Sequence, residues 1–217
     1  VWKSEDYGIS WENIKPNTYN HNFRKNKFSD FEGRHYSGFI VHNNYIYIIG
    51  GDEIQGRHIN DIWRSKNGKD WELVNANPEW GPRAFHVTFS YKEYIYVMGG
   101  QTMPKTIEDI PSKTIEDEIK NNDLSEIYYR DIWRSKDGKD WEKVKIKNNI
   151  SHLVAGIGGS GFVLNDFVYI PGGFSVTNYA NKKRDYWKKV WKSKGDLSSW
   201  EKVSDVGPNK LNDSGKS

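Results

Sequence analysis

The segment DIWRSKNGKDWELV at residues 61–74 returns at residues 131–144 as DIWRSKDGKDWEKV, with changes only at Asn67/Asp137 and Leu73/Lys143. A chain that writes one segment twice builds one structural unit twice, and the unit's period then limits the architectures open to it. The repeated letters close a longer unit. Residues 33–74 read GRHYSGFIVHNNYIYIIGGDEIQGRHINDIWRSKNGKDWELV, and residues 82–144 open with PRAFHVTFSYKEYIYVMGGQ before ending in the same run. Arg34 and Arg83 each stand sixteen residues ahead of a glycine pair, Gly50–Gly51 and Gly99–Gly100. A third unit, 152–203, keeps DFVYIPGG with Gly172–Gly173, but Gly156 stands at the arginine position. The first residues, VWKSEDYGISWENI, match only the closing half of a unit.

Within a unit the alternation of apolar and polar residues predicts four short strands. YSGFIVH and YIYIIGG form a hairpin turned at Asn43–Asn44, since Asn tolerates the positive φ of a tight hairpin turn. INDIWRS and DWELV follow, joined by a turn at Ser65, Asn67 and Gly68. Trp63 and Trp71 are expected on facing strands of that second hairpin. The double glycines are expected to end the second strand, where positive φ or a close backbone approach is needed. Ten Trp and thirteen Tyr against two Met and no Cys suit pleated, half-buried surfaces. One four-stranded unit cannot bury both its faces, and radial stacking of such units buries them, so the fold class is an all-β propeller of about three and a half four-stranded blades. The blades are bounded at 1–15 (closing half), 31–75, 81–146 with an insertion at 102–128, and 150–204, followed by a polar tail at 205–217. Three and a half blades do not obviously close a ring, and the sequence reads as an internal or carboxy-terminal part of a larger propeller, with a small four-bladed ring as the alternative.

Charge and composition remove several function classes. The net charge is +3, with 32 basic and 29 acidic residues intermixed and no basic stripe, so no nucleic-acid partner is implied. No apolar run has the roughly 20 residues of a membrane helix. With no Cys there is no thiol catalysis and no Cys-based zinc site. His35, His58, His86 and His152 share no ligand spacing, so no metal or other cofactor is expected.

The blocks PRAFHVTFSYKEYIYVMGG and GRHYSGFIVHNNYIYIIGG resemble kelch repeats, with Arg, the apolar strand, the Ile-Tyr pair and the double glycine in register. SEDYGISW fits the Asp-box pattern; SKNGKDW and SKDGKDW are one residue shorter. The combination is similar to bacterial kelch proteins described as galactose-oxidase-like. The resemblance implies a binding module for a protein or a glycan, further blades in the parent chain, and an extracytoplasmic or cell-surface location. The copper-radical activity of galactose oxidase needs a Cys cross-linked to Tyr, which this chain lacks. The alternative the resemblance implies is a carbohydrate-active enzyme similar to the kelch-type sialic-acid mutarotases.

Candidate ligand contacts are Arg34 and Arg83, whose forked guanidinium groups match carboxylates, together with Tyr36, Phe85 and Phe174 as stacking surfaces. The competing role for the arginines is to satisfy carbonyls between blades. Trp63, Trp71, Trp133, Trp141, Trp191 and Trp200 recur at equivalent places and are assigned to packing, as are the glycine pairs. The insertion TMPKTIEDIPSKTIEDEIKNNDLSEIYY repeats KTIED and is expected to hold a short helix at 113–121. It is either a partner-binding loop or a tolerated surface insertion.

Overall fold

The computed structural model describes residues 1–16, 31–54, 57–102, 127–148, 161–171, 174–175, 185–186 and 189–205. All regular elements among them are β-strands. A half-blade comes first, with β1 (Trp2–Lys3) and β2 (Glu12–Asn13). The first full blade holds β3 (Gly38–His42), β4 (Tyr45–Ile54), β5 (Arg57–Ser65) and β6 (Glu72–Asn75). The second spans β7 (Val87–Tyr91), β8 (Tyr94–Met98), β9 (Gln101–Thr102), β10 (Ile127–Tyr128), β11 (Ile132–Ser135) and β12 (Glu142–Lys143). The third spans β13 (Phe162–Leu164), β14 (Phe167–Pro171), β15 (Phe174–Ser175), β16 (Asp185–Tyr186), β17 (Lys189–Ser193) and β18 (Glu201–Asp205). Each full blade is an antiparallel four-stranded meander: β3-β4-β5-β6, β7-β8-β11-β12 and β13-β14-β17-β18. The small ladders β9-β10 and β15-β16 extend the middle hairpins of the second and third blades.

The turns are those the sequence asks for. Asn43 and Asn44 have φ of 47° and 60°, and Asn165 and Asp166 have 50° and 61°, the doubly left-handed geometry whose twist matches a hairpin. The glycine pairs depart from expectation in one blade. β8 stops at Met98, but β4 runs on through Gly50 and Gly51 to Ile54, with register shifts that absorb the irregularity. The outer hairpin also differs from expectation. Trp63 pairs with Leu73, and Trp71 lies just ahead of β6, its indole N–H donating to the Gly68 carbonyl at 2.9 Å. That closure recurs from Trp11 to Gly8, Trp141 to Gly138 and Trp200 to Leu197, where Leu197 takes the left-handed position with φ 56°. Ser4, Ser65 and Ser135 accept the matching glycine N–H in the first three turns. The repeated letters therefore encode one turn whose polar groups are satisfied internally.

Strand alternation produces the core. β3 and β7 bury every second residue, so each blade offers apolar side chains to both neighbours. The first seam, between the first and second blades, packs Ile40, Tyr47, Ile49 and Ile62 against Trp80, Ile95, Val97 and Trp141. The second packs Phe89, Tyr96 and Ile132 against Val168, Ile170 and Trp200. Burying an aliphatic or aromatic side chain of this kind contributes about 1.5–3 kcal/mol, so the seams dominate stability. The blades meet most closely at their inner strands. A Cβ on Gly38 would stand 2.3 Å from Thr88 Cγ2, so only glycine lets β3 lie against β7. Polar latches fix the other end of each seam. His42 Nδ1 meets Ser90 Oγ at 2.8 Å and its Nε2 meets the Lys136 carbonyl at 3.1 Å, while Tyr91 donates to the Asp166 carbonyl at 2.9 Å.

Candidate functional site at the channel mouth

The segments that enter β3 and β7 build one end of the arc. Arg34–Tyr36 precedes β3, and Arg83–Phe85 precedes β7 at the same step of the next blade. Both are tied down by backbone bridges to the residue after a glycine pair, His35 to Asp52 and Ala84 to Gln101. Main-chain bonds stitch the two blades together here: Gly51 N–H to the Arg83 carbonyl at 3.0 Å, Arg83 N–H to that of Ile59 at 3.1 Å, and Phe85 N–H to that of Tyr36 at 3.1 Å.

The arginines point into the blades. The Arg34 guanidinium forks onto Asp61, with Nη1 to Oδ1 at 2.5 Å and Nη2 to Oδ2 at 3.3 Å, and also donates to the carbonyls of Glu32 and Gly50. Arg83 has a side chain with 0% exposure. It donates to Asp131 Oδ1 at 2.8 Å, to the Gly99 carbonyl at 2.9 Å and to the Trp80 carbonyl, and lies 3.7 Å from the Tyr129 ring centroid. Burial draws its pKa down, and Asp131 opposes that shift. The same aspartates orient a tryptophan: Trp63 Nε1 donates to Asp61 at 2.7 Å and Trp133 Nε1 to Asp131 at 2.9 Å. An Arg–Asp–Trp triad thus joins the entry segment of each blade to its third strand. Asp61 and Asp131 carry the site and were missed as partners from sequence alone. The signal was available, because the third unit has Gly156 at the arginine position and Lys189 at the aspartate position, so both members of the pair change together.

Two aromatic residues follow the triad arginines by two positions. Tyr36 and Phe85 stack with centroids 3.8 Å apart and planes at 26°. Both have positive φ, 52° and 59°, an arrangement uncommon for aromatic residues and one that persists only where surroundings impose it. Tyr36 is 57% exposed, so one face of the stack is open to solvent. Phe174 follows the third glycine pair, at the position of Asp52 and Gln101; its backbone pairs with Tyr186, and its ring, with Gly172, Gly173 and Gly156, lies outside the described residues. So does 103–126, which takes in the helix expected at 113–121.

Several buried polar groups lie in and around the entry segments and the neighbouring strands. Ser37 Oγ, His58 Nδ1, Trp80 Nε1 and Gln101 Oε1 make no hydrogen bond within the chain, and the His86 ring nitrogens face the Ile49 and Arg83 carbonyls without completing one. Burial holds both imidazoles neutral: His58 is pushed down to about 4, and His86 to about 3 with Arg83 adding to the effect. Among the described residues, no group of three or more His, Asp or Glu is placed to hold a metal ion, and no helix is long and apolar enough to cross a membrane.

Four-stranded antiparallel sheets stacked seam to seam around their inner strands define this chain as an arc of a β-propeller, three blades and the outer half of a fourth. No protein-family model matches the chain, and no curated protein matches it. Among solved structures it is similar to that of YjhT, at 14% identity and TM-score 0.52, over 79% of this chain and 46% of that one. It is also similar to the Bombyx mori GH32 beta-fructofuranosidase BmSUC1, at 17% identity and TM-score 0.47, over 78% of this chain and 34% of that one. The chain therefore spans less than half the length of either.

Proposed function

We propose that this protein is a recognition module on a kelch-type propeller, and that it binds a glycan through Tyr36 and Phe85, with Phe174 of the third blade as a further contact. The observation that carries this reading is the strained, stacked and solvent-facing Tyr36–Phe85 pair at equivalent steps of successive blades. Aromatic faces of this kind take the apolar faces of sugar rings, and positive φ at a non-glycine residue marks places where the scaffold holds a side chain for use. Arg34 and Arg83 act in this reading through the backbone they anchor, since their guanidinium donors are committed to Asp61, Asp131 and blade carbonyls. That commitment favours binding over catalysis, because an acid–base site needs charged groups open to the substrate. The kelch assignment is supported by the register of Arg, Ile-Tyr and Gly-Gly in the first two units.

The test is saturation-transfer NMR with neutral hexoses and with sialic acid. Tyr36→Ala is expected to weaken binding roughly 2- to 13-fold, the range set by aromatic contacts of about 0.5–1.5 kcal/mol. Unchanged affinity in both Tyr36→Ala and Phe85→Leu, or turnover of the sugar's anomers by the wild-type chain, counts against the proposal.

A further inference from the structure

The outer hairpin of the first blade carries a cleft of about 350 Å³, lined by Tyr45, Arg64, Lys66, Asp70, Trp71 and Glu72. The second blade has its match, about 340 Å³, between Tyr94, Arg134, Lys136, Asp140, Trp141 and Glu142. Both lie away from the entry segments. β5 starts beside those segments, where His58 pairs with Asp52 and Asp52 bridges to His35, and it ends at Ser65 in the cleft wall.

The two clefts are built alike. Arg64 and Lys66 stand over the Tyr45 ring at 4.5 and 5.2 Å, and Arg134 and Lys136 over the Tyr94 ring at 4.6 and 5.4 Å. Arg64 Nε donates to Glu72 at 2.5 Å and Arg134 Nε to Glu142 at 2.6 Å. The third blade keeps part of the set: Lys192 and Lys194 stand over Phe167 at 4.8 and 4.9 Å, and Lys192 pairs with Glu201 at 2.9 Å, but Ser199 takes the place of Asp70.

Closing the turn does not require this lining. The half-blade makes the same tryptophan-to-carbonyl closure with Glu5 at the position of Lys66 and Ser10 at that of Asp70, and the third blade makes it with Ser199. Copying of a whole unit does not explain the likeness either, because GFIVH of β3 and VTFSY of β7 share no residue at matched positions while 61–74 and 131–144 differ only at Asn67/Asp137 and Leu73/Lys143. The likeness is concentrated in the segment that lines the clefts.

The chemistry of the lining selects a ligand class. Arg64 and Lys66 donate, Asp70 and Glu72 accept, and the two rings supply apolar wall. The two cations cancel the two carboxylates, and Asp137 adds a further negative charge in the second cleft, so neither cleft favours an anion. Such a lining suits an uncharged ligand dense in hydroxyls, which donate and accept at once, with C–H faces for the rings. The volumes are those of small-ligand sites.

We infer that the outer clefts of the first two blades are repeated sites for sugar residues of a neutral polysaccharide, distinct from the Tyr36–Phe85 pair, and that one polymer engages both. Two linked contacts gain by effective concentration what each lacks alone.

The test is affinity electrophoresis of the full chain through gels holding dextran, mannan or xylan, with heparin as the anionic comparison and a polymer-free gel correcting for charge. Asp70→Ser and Asp140→Ser place at exposed positions the residue that the other two turns already carry, so the fold is kept. At least one neutral polymer is expected to retard the chain. Either serine variant should weaken that retardation about tenfold or more, beyond the factor of two for independent sites, and the double variant should abolish it. No retardation by any of the three neutral polymers, retardation that the double variant keeps, or stronger retardation by heparin overturns the inference. Retardation lost in Tyr36→Ala and kept in the double serine variant also overturns it, while leaving the glycan reading of the entry segments standing.

Discussion

Replacing Asp131 with alanine tests whether the arginines of the entry segments hold the fold. The substitution leaves the Arg83 guanidinium with 0% exposure beside only neutral acceptors, the carbonyls of Gly99 and Trp80, and strips the Trp133 indole of its acceptor. Removing one partner of a buried ion pair costs about 3–5 kcal/mol, because the surviving charge stays desolvated. Domains of this size are stable by about 5–15 kcal/mol, so Asp131→Ala should bring the chain close to its unfolding threshold. The exposed pair between Arg134 and Glu142, at 2.6 Å, provides the contrast, and Glu142→Ala should cost less than about 1 kcal/mol. Urea unfolding followed by tryptophan fluorescence measures both. The double variant Arg83→Met/Asp131→Ala should recover most of the loss, because two buried charges are then replaced by apolar surface. A cost below about 1 kcal/mol for Asp131→Ala, within the range of surface pairs, would refute the reasoning and return Arg83 to the set of groups free to meet a ligand.

Two further outcomes follow from the same region and its turns. His58 and His86 are depressed by burial to about 4 and about 3 from an ordinary 6.5, so the unfolded chain binds protons that the folded chain refuses as pH falls below 6.5. Their stabilisation is complete above 6.5 and is lost toward pH 4, at up to about 2.7 kcal/mol per pH unit while both unfolded imidazoles are protonated; urea midpoints from pH 7.5 to 4.5 measure the slope, and His86→Phe should reduce it by half. Gly138 and Gly195 share a left-handed φ of 85° and 74°, yet a Cβ meets Tyr47 at 3.2 Å at the first and nothing within 4 Å at the second. Gly195→Ala should cost about 1–2 kcal/mol from backbone conformation alone, and Gly138→Ala more, the difference in calorimetric stability reporting the seam contact.

The architecture was legible in the sequence because a propeller is a local object repeated. Each blade is a meander of adjacent strands, so Asn43–Asn44, Gly68 and the alternation in YIYIIGG carry its instructions within about forty residues. What the letters left open was direction. Arg34 and Arg83 sit at segment entries where either a ligand or a blade carbonyl is a reasonable partner, and the choice depends on Asp61 and Asp131, which lie 27 and 48 residues away in sequence. Trp71 was read as a strand residue because it stands eight positions from Trp63, a spacing that does not register the turn hydrogen bond to Gly68 drawing it out of β6.

The third unit separates the two kinds of repetition. It keeps the apolar alternation that fills the seams, since Val168, Ile170 and Trp200 pack as their counterparts do. It loses the ion pair at both ends, with Gly156 and Lys189 in place of arginine and aspartate. A pair kept for the fold alone should have been kept wherever the fold is kept. Its replacement in one blade, together with the absence of an aromatic residue at the position of Tyr36 and Phe85, where Gly158 stands, means that triad and rim aromatic come and go together. In the proposed reading the triad anchors the segment that carries the aromatic residue, and only the first two units carry both.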